Sequence, residues 1–140
     1  MKTQFMNLTA IGAGASIGSI ARYYLNLLTI HTGYPFGTLI ENIAGSLILG
    51  FLTAWFLVFI PKEWLKLGLG VGLCGGFTTM STLAADAAFL YQIHTSLDAV
   101  FYVAGTTVGG ILAACIGYFL GTYIANQAKT KRKRKEVKPG

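Results

Sequence analysis

The residues best suited to chemistry lie together in the third apolar stretch of the chain. Residues 75–82 read Gly-Gly-Phe-Thr-Thr-Met-Ser-Thr, so two glycines precede a run with hydroxyl side chains at four of five positions. Glycine weakens a helix, and Ser and Thr hydroxyls compete for its backbone hydrogen bonds. A broken membrane helix frees carbonyls that can bind a cation and N–H groups that can bind an anion. We predict an ion site here; the alternative is a glycine kink whose hydroxyls bond back to the helix.

Three ionisable side chains also lie within apolar stretches: Arg22 in the first, Glu41 in the second and Asp86 in the third. Each costs about 2.5–3.5 kcal/mol at the centre of a membrane-spanning helix, so such residues usually have a function. An arginine at the mouth of a polar path would concentrate anions. A structural salt bridge is the alternative explanation for Arg22.

The composition of the whole chain predicts the elements that position these residues. Of its 140 residues 54% are hydrophobic and only 11% are charged, with a mean hydropathy of +0.59. Crossing a membrane takes roughly 20 apolar residues, and four stretches qualify, near residues 8–30, 38–60, 67–91 and 99–125. We therefore predict an all-α membrane protein with four transmembrane helices, the third broken near the bilayer midplane.

The other three helices each carry small and polar residues at spacings of three and four, which places them on one face. They are Gly12, Ala15, Ser16, Ser19, Arg22 and Asn26 on the first helix, Thr38, Asn42, Gly45, Ser46 and Thr53 on the second, and Tyr102, Thr106, Gly109, Gly110, Ala113 and Gly117 on the fourth. Lipid-facing positions need only be apolar, so these faces indicate a polar path or close helix packing.

The basic residues predict the orientation. Ten of the eleven Lys and Arg fall on the side that holds the N-terminus, the second loop and the C-terminus, and none falls in the other two loops. This bias places both termini in the cytoplasm, with the chain in the cell membrane. Seven of the ten lie from Lys129 to Lys138. We predict a membrane domain over residues 1–126 and a basic, disordered tail over 127–140 that attracts anionic lipid, with no nucleic-acid partner.

An enzyme is not expected. Cys74 and Cys115 lie in apolar segments without the spacing of a disulfide framework or a zinc site. The sequence also shows no nucleophile–base arrangement and no phosphate-binding loop on a soluble element.

Three motifs occur in order, each in its own predicted helix. They are Gly12-x-Gly14-Ala15-x-x-Gly18-x-x-x-Arg22-Tyr23, Pro35-x-Gly37-Thr38-Leu39-x-x-Asn42-x-x-Gly45-Ser46 and Gly72-x-x-Gly75-Gly76-Phe77-Thr78-Thr79-x-Ser81-Thr82. With these motifs the chain resembles the Fluc fluoride channel family, also called CrcB, over all four predicted spans.

The resemblance implies a fluoride-selective channel subunit that exports fluoride passively across the membrane. It implies a dual-topology dimer of two oppositely inserted subunits, with a structural sodium ion at its centre held by the backbone carbonyls of Gly75 and Thr78. Fluoride is strongly hydrated, so amide and hydroxyl donors must replace its water. The residues that the resemblance places on the fluoride path are Asn42, Ser81, Thr82 and Thr106, with Tyr102, Thr38 and Asp86 as weaker matches and Arg22 at the vestibule.

The chain differs from the family pattern at two path positions. Met80 and Leu83 replace two phenylalanines whose electropositive ring edges can face an anion. The charge bias is also too strong for a chain that inserts in both orientations. We therefore predict a heterodimer with a separately encoded partner of opposite orientation. Two alternatives stay open: a non-conducting accessory or scaffold subunit, and a small multidrug-type antiporter, which Arg22 disfavours because that class needs a carboxylate on its first helix.

Overall fold

A computed structural model describes the backbone of residues 1–137 and the side chains of residues 1–132 and 134. This part of the chain is helical almost throughout. Its elements are α1 (Lys2–Thr29), a 3-10 turn (Ile30–Thr32), α2 (Phe36–Phe59), α3 (Glu63–Lys66), a π-helix (Leu67–Cys74), α4 (Gly75–Phe77), α5 (Ser81–Ile93) and α6 (Ser96–Val137). The predicted all-α class is confirmed.

Three helical stretches of the described chain are long and apolar enough to cross a membrane: Phe36–Phe59, Glu63–Ile93 and Ser96–Arg132. We call Glu63–Ile93 the third span, because α1 and α2 precede it in the chain. With 28 residues α1 is also long enough. Its many Ser, Thr, Gly and Asn residues make it less apolar than the others, so the four-span prediction is supported directly for three helices.

Local chemistry sets the ends of these helices. Gly33 adopts a left-handed conformation, with φ of 69°, in the turn between α1 and α2. Pro61 disfavours helical backbone at the residue before it, and α2 ends accordingly at Phe59. A capping box starts α6: the N–H of Asp98 donates to the Thr95 hydroxyl at 3.2 Å, and the Thr95 N–H donates to the Asp98 carboxylate at 3.2 Å.

The helices pack in two pairs at very short range. In the first pair α1 lies against the π-helix, where a side chain at Gly14 would collide with the backbone of Gly68 and Leu73. In the second pair α2 lies against α6, where a side chain at Gly117 would collide with the Leu47 carbonyl. Glycine at such positions lets backbones approach closely, as is common between membrane helices.

The buried apolar core is small and lies where α5 meets α6. Leu83, Leu90 and Tyr102 form it, with Tyr34 and Leu39 packed against them. Large apolar side chains are exposed on every long helix, which is what a surface facing lipid or another subunit requires.

The basic C-terminal segment differs from its predicted form. We expected residues 127–140 to be disordered, but α6 continues to Val137, and residues 138–140 lie outside the described part. Lys, Arg, Gln and Ala are good helix formers, and extending an existing helix avoids the unfavourable nucleation step. No change of backbone conformation therefore marks the boundary expected at residue 126.

Candidate functional site

The third span is broken where the sequence predicted. Helix α4 ends at Phe77, Thr78 is extended with φ −79° and ψ 156°, and α5 begins at Ser81. The hydroxyl of Thr78 donates back to the Cys74 carbonyl at 2.9 Å. A broken helix and a back-bonded hydroxyl, which the sequence left as alternatives, therefore occur together.

The side chain of Asn42 on α2 clamps the break. Its amide nitrogen donates to the Thr79 carbonyl at 2.9 Å, and its amide oxygen accepts from the Thr79 N–H at 2.8 Å. The side-chain amide thereby substitutes for a neighbouring peptide group. Both backbone groups of Thr79 are satisfied inside a membrane span, where leaving them unpaired would be unfavourable.

The hydroxyl of Thr79 organises the start of α5. It accepts from the Thr82 N–H at 3.2 Å, donates to the Thr82 hydroxyl at 3.0 Å and lies 3.3 Å from the Ser81 hydroxyl. Thr79 is buried, with 7% of its surface exposed. The sequence motif contains Thr79, but we did not assign it a role; a hydroxyl three residues before Thr82 is a signal for a helix start that would have identified it.

These bonds leave two carbonyls without their helical donors. In an unbroken α-helix the Gly75 carbonyl would accept from the Thr79 N–H and the Thr78 carbonyl from the Thr82 N–H. Both N–H groups are engaged elsewhere, with Asn42 and with the Thr79 hydroxyl. The carbonyls of Gly75 and Thr78 are the two that the resemblance assigned to sodium. Among the described residues no cluster of His, Cys, Asp or Glu could hold a metal, so a cation here would depend on carbonyl oxygens.

Both carbonyl-bearing residues line an open cavity of about 560 Å³. The residues around it come from α2, the π-helix and break, α5 and α6: Asn42, Ser46, Gly75, Thr78, Thr79, Met80, Leu83, Thr106, Thr107, Gly110, Ile111 and Ala114. Gly45 shapes its wall, because any side chain there would collide with the methyl group of Thr78. Ser46, Thr107 and Gly110 are lining residues that we did not assign to the path from the sequence.

Four residues predicted for the path meet at this cavity: Asn42, Met80, Leu83 and Thr106. Met80 is 77% exposed, whereas Leu83 is only 4% exposed and belongs mainly to the core. The Thr106 hydroxyl donates to the Tyr102 carbonyl at 2.7 Å, so its proton is used within α6.

Ser81 and Thr82 do not line the cavity and instead join the Thr79 hydroxyl network. Tyr102 and Thr38 are also absent from its lining, because each is 1% exposed and packed between helices. The Tyr102 hydroxyl lies 2.9 Å from the Asp86 carboxylate, to which it donates, and 3.3 Å from the Pro35 carbonyl. Asp86 lines a second cavity, of about 440 Å³, together with Asn26, Tyr34 and Pro35.

Arg22 and Glu41 lie apart from both cavity linings. Arg22 is half-buried on α1 and forms no ion pair among the described residues, so the structure does not support the salt-bridge explanation. Glu41 is fully buried and accepts from the Asn26 amide at 2.7 Å. Glu41 directly precedes Asn42 on α2, but its side chain contacts α1 while that of Asn42 contacts the break.

Comparisons with known proteins identify the family of the chain. Residues 9–118 match the family described as CrcB-like protein, Camphor Resistance. The chain is 58% identical over 134 residues to a protein of Halalkalibacterium halodurans named fluoride-specific ion channel FluC 2, covering 96% of each chain. It is 45% identical over 124 residues to a Bacillus subtilis protein of the same name, covering 88% of this chain and 93% of the relative. A fluoride-specific ion channel FluC of Gloeobacter violaceus is 39% identical over 109 residues, covering 75% of this chain and 87% of the relative.

Proposed function

Because this chain belongs to the CrcB-like protein family, we propose that it is a subunit of a fluoride-selective membrane channel. Two relatives that it matches over nearly their full length are named fluoride-specific ion channels. In this proposal the chain conducts fluoride passively out of the cell and carries out no catalysis.

One observation carries the proposal: the Asn42 clamp holds a helix break at the wall of an open cavity. An amide nitrogen has two N–H groups, and Asn42 uses one for the Thr79 carbonyl, which leaves a second donor for an anion. Fluoride gives up its hydration water only where such donors replace it. The exposed thioether of Met80 at the same wall is apolar and adds no opposing charge.

A structural sodium ion is the second part of the proposal. The carbonyls of Gly75 and Thr78 would hold it, since both have lost their helical donors and oxygen ligands suit a hard cation. Bound sodium would supply a fixed positive charge beside the cavity. The residues of this chain supply only part of a coordination shell, which fits an ion shared with a second subunit.

The third part is a dimer with an oppositely inserted subunit. The cavity is open, so a facing subunit would complete it. The strong one-sided distribution of Lys and Arg supports a partner chain with the opposite bias, rather than a second copy. Four crossings, with α1 as the first, would place both termini on the same side of the membrane. The distribution of Lys and Arg would make that side the cytoplasm.

Fluoride efflux from liposomes tests the proposal. We expect liposomes that contain this chain together with a second, oppositely biased four-span chain to release fluoride and retain chloride. Release by the partner alone at the same rate would favour the accessory-subunit alternative. Uptake of an organic cation coupled to proton release would favour the antiporter, and fast release by this chain alone as an antiparallel dimer would refute the heterodimer.

A further inference from the structure

Glu41 has surroundings that no part of the proposed ion path explains. None of its surface is exposed, and it lies on α2 within a membrane span. One carboxyl oxygen, Oε1, accepts from the Asn26 amide on α1 at 2.7 Å. The other, Oε2, is buried and has no hydrogen-bond partner.

The neighbouring helices offer this carboxyl no counter-ion. Arg22 on α1 and Asp86 on α5 are the charged groups close enough to affect it, and their charges have opposite signs. Neither pairs with it, and Asp86 is engaged by the Tyr102 hydroxyl. On the α1 side its contact is a neutral amide, whose nitrogen is shared with the Arg22 carbonyl at 3.3 Å.

These contacts suit a neutral carboxylic acid better than a carboxylate. An ionised carboxylate in a buried site needs a paired charge or several hydrogen-bond donors, and here it would have one donor and an orphaned oxygen. A protonated acid leaves one neutral O–H group without an acceptor, which is less unfavourable than a buried charge without a partner. Because Oε1 is already an acceptor, the proton belongs on Oε2.

The position of this acid matters because it precedes Asn42. Adjacent residues on an α-helix point about 100° apart, so Glu41 faces α1 while Asn42 faces the break and cavity. We propose that Glu41 is an intramembrane proton-binding site that stays protonated at neutral pH and so keeps negative charge away from the anion path. The statement about the path rests on the proposed channel function; the statement about the proton does not.

Infrared difference spectroscopy of the lipid-reconstituted protein tests the proton directly. Subtracting the spectrum of Glu41→Gln from that of the wild type should reveal the C=O stretch of a protonated carboxyl, shifted in heavy water. The matched variant Glu63→Gln, which alters an exposed glutamate at the start of α3, should remove only carboxylate bands. Carboxylate bands in the Glu41 difference, with no protonated carboxyl, would overturn the proposal.

Fluoride flux tests the consequence. At neutral pH Glu41→Gln should match the wild type within about twofold, because a neutral amide replaces a neutral acid of similar shape. At alkaline pH the wild type should slow as Glu41 loses its proton, and Glu41→Gln should not. A several-fold gain of flux by Glu41→Gln at neutral pH would show that a negative charge had been removed and would refute the proposal. If the wild type passes no fluoride, the channel function fails and the infrared result still decides the proton.

Discussion

Glu41 and Asn42 are neighbours on α2, yet they belong to two regions built on opposite principles. Around Asn42 the backbone is broken, two carbonyls have lost their donors, and the side chain faces an open cavity. Around Glu41 the contacts run between helices: its buried carboxyl accepts from the half-buried Asn26 amide on α1, and its Oε2 atom has no hydrogen-bond partner. The comparison teaches that polar residues inside a membrane span can serve a permeating ion where their free bonding groups face an open cavity. Elsewhere they hold helices together.

The same contrast separates a threonine and a tyrosine that the sequence placed on one face of the fourth helix. Thr106 reaches the cavity, whereas Tyr102 is buried against Asp86 and Pro35. We call the side of the 560 Å³ cavity the open region. The side that holds Glu41 and Tyr102, whose side chains are at most 1% exposed, is the closed region. Substitutions in the open region should change fluoride flux, and those in the closed region should change stability.

The largest effect is expected for Asn42→Ala. It leaves both the N–H and the carbonyl of Thr79 unpaired, at about 1–3 kcal/mol each, and removes the amide donor at the cavity. Fluoride efflux from liposomes should fall by about tenfold or more, because the variant loses both the donor at the cavity and the bonds that fix the break. Asn126→Ala, on the exposed part of α6, is the matched control and should leave efflux unchanged. Equal efflux from both variants would remove Asn42 from the path.

A smaller effect, and a rescue, is expected at Gly45. A methyl group added by Gly45→Ala collides with the Thr78 methyl and should displace the break, which lowers efflux several-fold. Adding Thr78→Ser removes that methyl but keeps the hydroxyl that donates to Cys74, so the double variant should recover most of the flux.

Gly105→Ala is the control for this pair, because a side chain at Gly105 meets only open space. If the double variant releases fluoride as slowly as Gly45→Ala alone, a collision with the Thr78 methyl group is not the reason that Gly45→Ala lowers efflux.

The smallest effect on flux is expected in the closed region, for Tyr102→Phe. The variant loses the hydroxyl bonds to Asp86 and Pro35 and leaves the half-buried Asp86 carboxylate with one donor fewer. Thermal unfolding in detergent should show a loss of about 1–3 kcal/mol, with efflux per folded protein changed by less than roughly threefold. Tyr123→Phe, on an exposed tyrosine of α6, should change neither quantity. A large loss of efflux at unchanged stability would place Tyr102 in the open region and break the comparison.

The sequence predicted the break because its causes are local. Two glycines and four hydroxyl residues near one position disfavour a helix whatever surrounds them. The roles of Gly75, Thr78 and Asn42 came instead from the family resemblance. The Asn42–Thr79 clamp joins residues 37 positions apart, so no local pattern could reveal it.

Side-chain direction was harder to predict than position. The resemblance placed Ser81 and Thr82 on the path, but both lie outside the cavity lining and contact the hydroxyl of Thr79. Composition likewise did not predict the π-helix before the break, which packs closely against the glycines of α1. We predicted disorder after residue 126 from the charge of that segment, but its helix-forming residues extend α6 to Val137.

Solid-state NMR of the protein in lipid bilayers, with ¹³C-labelled carbonyls at Gly75 and Thr78, tests the central claim most directly. The account predicts non-helical shifts at Thr78, and shifts at both carbonyls that change when sodium replaces a large organic cation. Helical shifts through residues 75–82, with carbonyls that do not respond to sodium, would mean an unbroken helix and would contradict the account.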